Sequence, residues 1–152
     1  ISVSFRPILG ATEELAWERP HRILDAIENP AGPGPRHRGW RGANGQPKNA
    51  GSQRLLAAAA RCDLHDRARW TATARASGAG GNSTALVGTP DTVAQALLDY
   101  VDLGVSTLLI RGYDPLEDAT DYGRELIPLV RAEVARRDAT QAGAEAELAG
   151  RS

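Results

Sequence analysis

The chain has 152 residues, 41% of them hydrophobic and 24% charged, and carries a formal net charge of -1. That length can bury the core of one ordinary domain, and the near-zero charge offers no electrostatic footprint for nucleic acid or an anionic membrane. The single cysteine, Cys62, excludes an intrachain disulfide, and no apolar run approaches the roughly 20 residues of a membrane span, so a reducing, cytoplasmic setting is expected.

Ile1 to Leu9 predicts a strand, with Ile1, Val3 and Phe5 alternating with Ser2, Ser4 and Arg6. Starting inside such a pattern, in a sequence without methionine, the chain is expected to be a piece of a longer protein. Thr12 can cap a following helix whose first turn holds Glu13 and Glu14. Pro20 falls inside that helix, where a proline costs about 3 kcal/mol, and predicts a kink or break. Residues 29–52, with Pro30, Pro33, Pro35, Pro47 and repeated glycines, have no hydrophobic period and are expected to form an irregular excursion. The arginines at 36, 38 and 41 around Trp40 fit a solvated loop better than a nucleic-acid patch. Helical composition returns over 53–61 and 64–76.

The third part of the sequence is the clearest. Thr84 to Gly88 predicts a short buried strand, and Thr89-Pro90-Asp91 supplies a cap, a first-turn proline and an early acid. The helix then ends at Gly104, a second buried strand covers Val105 to Ile110, and Arg111 to Pro115 turns the chain into a long amphipathic helix. Residues 138–152 are alanine-rich and weakly patterned, and are expected to be a disordered tail. Buried strands alternating with amphipathic helices predict α/β architecture with a parallel sheet. His21, His37 and His65 have no ligand spacing with each other or with Cys62, so no metal site is expected.

Three ordered segments carry a resemblance. They are Ser4-Phe5-Arg6-Pro7-Ile8-Leu9 with Thr12 to Trp17, then Ser83 to Pro90, then Leu103 to Pro128 around Arg111-Gly112-Tyr113-Asp114-Pro115. Together they resemble the closing strands of luciferase-like flavin-dependent monooxygenases, in the alkanesulfonate monooxygenase branch. The resemblance implies that residues 1–137 form the last three βα units of a partial TIM (β/α)8 barrel, whose complete form needs about 250 residues. It implies reduced FMN as cofactor, supplied by a separate NAD(P)H-dependent flavin reductase, and cleavage of an alkanesulfonate with dioxygen to an aldehyde and sulfite. Other readings within its reach are a relative using a deazaflavin or another substrate, and a non-catalytic remnant of a barrel. A homo-oligomer is possible on this reading; nucleic acid and membrane are not expected as partners.

Barrel active sites lie at the C-terminal ends of the strands, which singles out Arg6, Gly88, Arg111 and Tyr113. An alkanesulfonate is a permanent anion, and arginine suits its oxygens. The resemblance implies Arg6 and Tyr113 for substrate, Arg111 and Gly88 for cofactor, and Tyr113 with Arg111 for catalysis. The competing structural roles are an ion-paired strand-end arginine, an aromatic plug at the barrel mouth, and a glycine kept for close backbone approach. Asp114 and Glu117 stand near enough in sequence to pair with Arg111. Where many relatives carry an arginine and a histidine on the first strand, this chain has Ser4 and Arg6. The place of a glycine-loop arginine falls at Ala79, with Arg75 upstream.

Overall fold

The structure, a computed structural model, describes residues 1–29, 47, 49–79 and 84–149. Most of the expected excursion, with its arginine cluster, and part of the glycine-rich loop before Thr84 lie outside the described residues. In chain order the elements are β1 (Ser2–Leu9), α1 (Glu13–Glu28), α2 (Ala50–Ala59), β2 (Leu64–His65), β3 (Arg69–Trp70), α3 (Ala72–Ser77), β4 (Ala85–Gly88), α4 (Pro90–Asp102), β5 (Thr107–Ile110), α5 (Pro115–Asp121) and α6 (Ile127–Ala149). A π-helical turn, Tyr122–Leu126, joins α5 to α6.

The strands form one sheet in the order β2-β3-β4-β1-β5. β1 is parallel to both β4 and β5, as predicted, pairing Leu9 with Gly88 and Phe5 with Ile110. The order departs from the barrel expectation. Consecutive βα units of a closed barrel lie side by side, whereas here the first strand sits between the other two parallel strands. The connection from β4 therefore passes over β1 to reach β5.

Alternation along β1 divides the core in two. Phe5 joins Leu86, Val93, Leu97, Tyr122 and Leu126 on the face covered by α4 and the π-helical turn. Ile8 joins Val87, Trp70 and Ala16 on the face covered by α1 and α3. Helices thus cover both faces of β1 and β4, as parallel strands require, whereas β5 is covered on one face only.

The predicted caps hold. Thr12 accepts from the Leu15 N–H at 3.3 Å, and Thr89 accepts from the Thr92 N–H at 3.3 Å ahead of Pro90. Gly104 takes φ +85 after α4. Three local expectations need correction. α1 runs unbroken through Pro20, whose buried ring offsets the lost backbone bond. The expected 64–76 helix is instead a two-strand hairpin followed by the short α3, because Asp66 turns the chain at φ +53. Finally, α6 continues to Ala149 over the expected tail, with every side chain from Asp138 onward exposed. Among the described residues, no helix is long and apolar enough to cross a membrane.

Candidate functional site

Parallel strands put their following loops at one edge of the sheet, and the edge above β1 and β5 collects the polar groups. β1 leads through Gly10 into α1, and β5 leads through Arg111-Gly112-Tyr113 into α5. In open α/β sheets, ligands bind in the crevice where connections leave a central strand toward opposite sides. β1 and β5 meet that description, since β4 and β5 lie on opposite sides of β1.

Arg6 and Tyr113 come together here. The Arg6 guanidinium stands 5.2 Å from the centre of the Tyr113 ring, and its Nη1 donates to the Gly112 carbonyl at 2.7 Å. A cation over an aromatic face contributes about 0.5 to 2 kcal/mol, depending on desolvation. The Tyr113 ring packs against the α1-side core, so its hydroxyl is buried, and it makes no hydrogen bond among the described residues. Burial pushes its phenol above the ordinary tyrosine range, although the nearby Thr73 hydroxyl and the Arg6 charge pull the other way. The Thr73 hydroxyl is likewise buried without a bonding partner. The pair forms a neutral donor-acceptor site with unspent capacity, and unspent buried polar groups are costly.

A second layer braces this pair. Arg19 on α1 meets Asp118 on α5 in a two-bond ion pair, with Nη2 to Oδ2 at 3.0 Å. Asp118 Oδ2 also accepts from the Asp114 N–H at 2.9 Å. Burial alone would raise the Asp118 pKa, but the Arg19 and backbone donors outweigh it and hold the carboxyl below its usual value. Gly112 makes room for this, because a side chain there would collide with Asp118. The Tyr122 hydroxyl, buried on the other face, donates to the Pro7 carbonyl at 2.6 Å and ties the π-helical turn to β1.

Arg19, Asp118 and Thr73 were not among the sequence candidates. The available signal was Asp118 four residues after Asp114, on the same side of the helix start. Asp114 itself caps α5, accepting from the Leu116 and Glu117 N–H groups at 3.0 and 3.1 Å, rather than pairing with Arg111.

The other candidates stand apart. Arg111 closes β5 through its N–H to the Phe5 carbonyl at 3.1 Å, and its exposed side chain has no ion-pair partner among the described residues. Gly88 lies against Thr92 and Glu13, where an added Cβ would stand 2.8 Å from the Thr92 methyl and 3.2 Å from the Glu13 carboxylate. Glu13 accepts from the Thr89 N–H and from the Thr92 hydroxyl, chiefly the latter, which lowers its pKa. This carboxylate therefore occupies the start of α4, where a phosphate would otherwise find free N–H groups. Arg75 is a surface residue paired with Asp63.

Toward a flavin, these residues fit in part. Arg6, Arg111 and the Tyr113-Thr73 hydroxyls can serve anionic or polar edges, while the first turn of α4 is already filled. A family model for luciferase-like monooxygenases matches residues 1–107, covering β1 through α4 and ending at the first residue of β5, before the Arg111–Tyr113 turn. That match spans well over half of the chain, and the protein belongs to the luciferase-like monooxygenase family.

Proposed function

We propose that this chain serves a flavin-dependent monooxygenase acting on alkanesulfonates, and that it contributes substrate-binding groups at the C-terminal edge of its parallel strands. The observation carrying this reading is the Arg6 guanidinium held over the Tyr113 ring beside two unpartnered hydroxyls. Reduced FMN, when bound, supplies two electrons to dioxygen. The overall products would be an aldehyde, sulfite and water, with one atom of dioxygen in the aldehyde and the other in the water. In this scheme the chain's own groups bind and orient. Arg6 and Arg111 offer N–H pairs to the sulfonate oxygens. Tyr113 is protonated at neutral pH, as any ordinary phenol is, and burial pushes its pKa further up, so its hydroxyl can donate to an anionic oxygen. A separate NAD(P)H-dependent reductase would deliver the reduced flavin, in a cytoplasmic setting. The barrel arrangement expected of such an enzyme would require the three βα units to pair in chain order, next to further units.

One observation favours a second reading, that of a non-catalytic remnant: the Glu13 carboxylate fills the start of α4. The two separate in one experiment. FMN is titrated into the folded chain by fluorescence, and sulfite release from octanesulfonate is measured with a flavin reductase and NADH present. Micromolar FMN binding, and sulfite release lost in Arg6→Gln by tenfold or more, are expected. A folded chain that neither binds FMN nor releases sulfite overturns the proposal in favour of the remnant. Binding of a deazaflavin in place of FMN would keep the family chemistry and replace the cofactor.

A further inference from the structure

A cavity of about 320 Å³ opens on the other face of the sheet, between the β2-β3 hairpin and the C-terminal half of α4. Its cause is local. Arg69 pairs in register with Leu86, so both side chains point toward α4, and the small side chains of Ala68 and Ala96 leave the space between them unfilled. Tyr100, its ring 4.7 Å from that of Phe5, and Leu103, 76% exposed, complete the wall. Arg67 and Asp99, 3.3 Å apart, tie the hairpin to α4 at the rim.

Arg69 is the unusual member. Its Nε–H is buried and makes no hydrogen bond among the described residues. Asp66 stands 3.3 Å away outside bonding geometry and is 68% exposed, so water competes for it and the pairing is weak. Across the hairpin, the Nε2 of His65 is also buried and unpartnered. An apolar cavity ending at a half-buried guanidinium with an unspent donor suits a ligand with a hydrocarbon body and one anionic head.

We infer that this cavity binds a small amphipathic monocarboxylate, with its head on Arg69 and its tail against Tyr100 and Leu103, over a floor that Ala96 keeps low. At about 30 Å³ for each water-sized group, the space admits about ten heavy atoms, the size of octanoate. The site does not rest on the flavin reading. Arg69 and Leu86 face α4, whereas Tyr113 packs on the α1 side of the sheet.

The test titrates the full chain with octanoate, octanol and octylamine, followed by amide shifts in NMR spectra. Octanoate should bind at least tenfold more tightly than the other two, with shifts centred on residues 66–69 and 96–103. Arg69→Gln should erase that preference, and Ala96→Leu, which fills the cavity, should weaken all three. Equal binding of octanol and octanoate, preference for octylamine, or octanoate binding undiminished in Ala96→Leu would each overturn the inference. The three-ligand comparison on the unaltered chain decides the matter even if a variant fails to fold.

Discussion

β4 and β5 are both four-residue parallel neighbours of β1, and β5, with Leu108, Leu109 and Ile110, is the more apolar in sequence. Yet all four residues of β4 are buried, while β5 alternates between exposed and half-buried. The difference lies in their neighbours. β4 has α1 on one face, α4 on the other and β3 along its outer edge. β5 is packed on one face by Leu97, Leu126 and Ile127, its other face leaves Leu109 51% exposed, and its outer edge is unpaired among the described residues. Hydrophobicity marks a residue that gains by burial; coverage decides whether burial happens.

The largest expected effect tests that asymmetry directly. Leu86 is fully buried at the centre of the α4-side core. Leu86→Ala should cost about 3 to 4 kcal/mol, from lost transfer energy plus the cavity left behind. The same truncation at Leu109 removes a side chain already half in water, and should cost about 0.5 to 1 kcal/mol. Urea unfolding of both variants reads the contrast as a shift in midpoint. Equal losses at the two positions would mean that the two strands are covered alike.

The second effect concerns what joins the bare side to the covered one. The Arg19-Asp118 pair runs from α1 to the helix that follows β5. Breaking a buried pair costs about 3 to 5 kcal/mol, but Arg19 is 31% exposed and water screens part of it. Asp118→Ala is therefore expected to lose about 2 to 3 kcal/mol. The loss must depend on pH. The carboxyl titrates below its usual value in the folded chain, so its stabilisation is complete above about pH 4 and fades as acid protonates it through the lowered folded-state pKa. Unfolding measured from neutral pH downward should show the two proteins converging in acid. A gap that stays constant would assign the effect to packing instead of charge.

This clamp also shows where sequence reading reaches its limit. The strands were legible because Phe5, Val87 and Ile110 belong to short apolar runs bounded by glycine or turn residues, and α4 because Thr89, Pro90 and Gly104 mark its ends. The meeting of Arg6 with Tyr113 followed from both lying at strand ends in a parallel sheet. Sheet order was not legible, since pairing beside β1 depends on every other strand competing for its edges. The β2-β3 hairpin was missed because two-residue strands are too short to show a period. Asp118 was missed because its partner, Arg19, is 99 positions away and only the fold brings them together.

The smallest effect on stability bears most directly on the open edge. An unpaired strand carrying exposed leucine is a template for another chain, and β5 presents Leu109, 51% exposed, on the face opposite the one that Leu108 and Ile110 turn toward Leu97, Ile127 and Val130. The unaltered protein is expected to self-associate through this edge as its concentration rises. Lysine at an edge position opposes pairing by charge repulsion and by the cost of burying an ammonium group. Leu109→Lys should therefore change unfolding free energy by no more than about 0.5 kcal/mol, since the site is half exposed. Sedimentation velocity across a concentration series should show the association reduced or absent. If the variant associates as the parent does, contact forms elsewhere; if the parent stays monomeric and unfolds cooperatively, the edge is tolerated in water, and the contrast between β4 and β5 is one of packing alone.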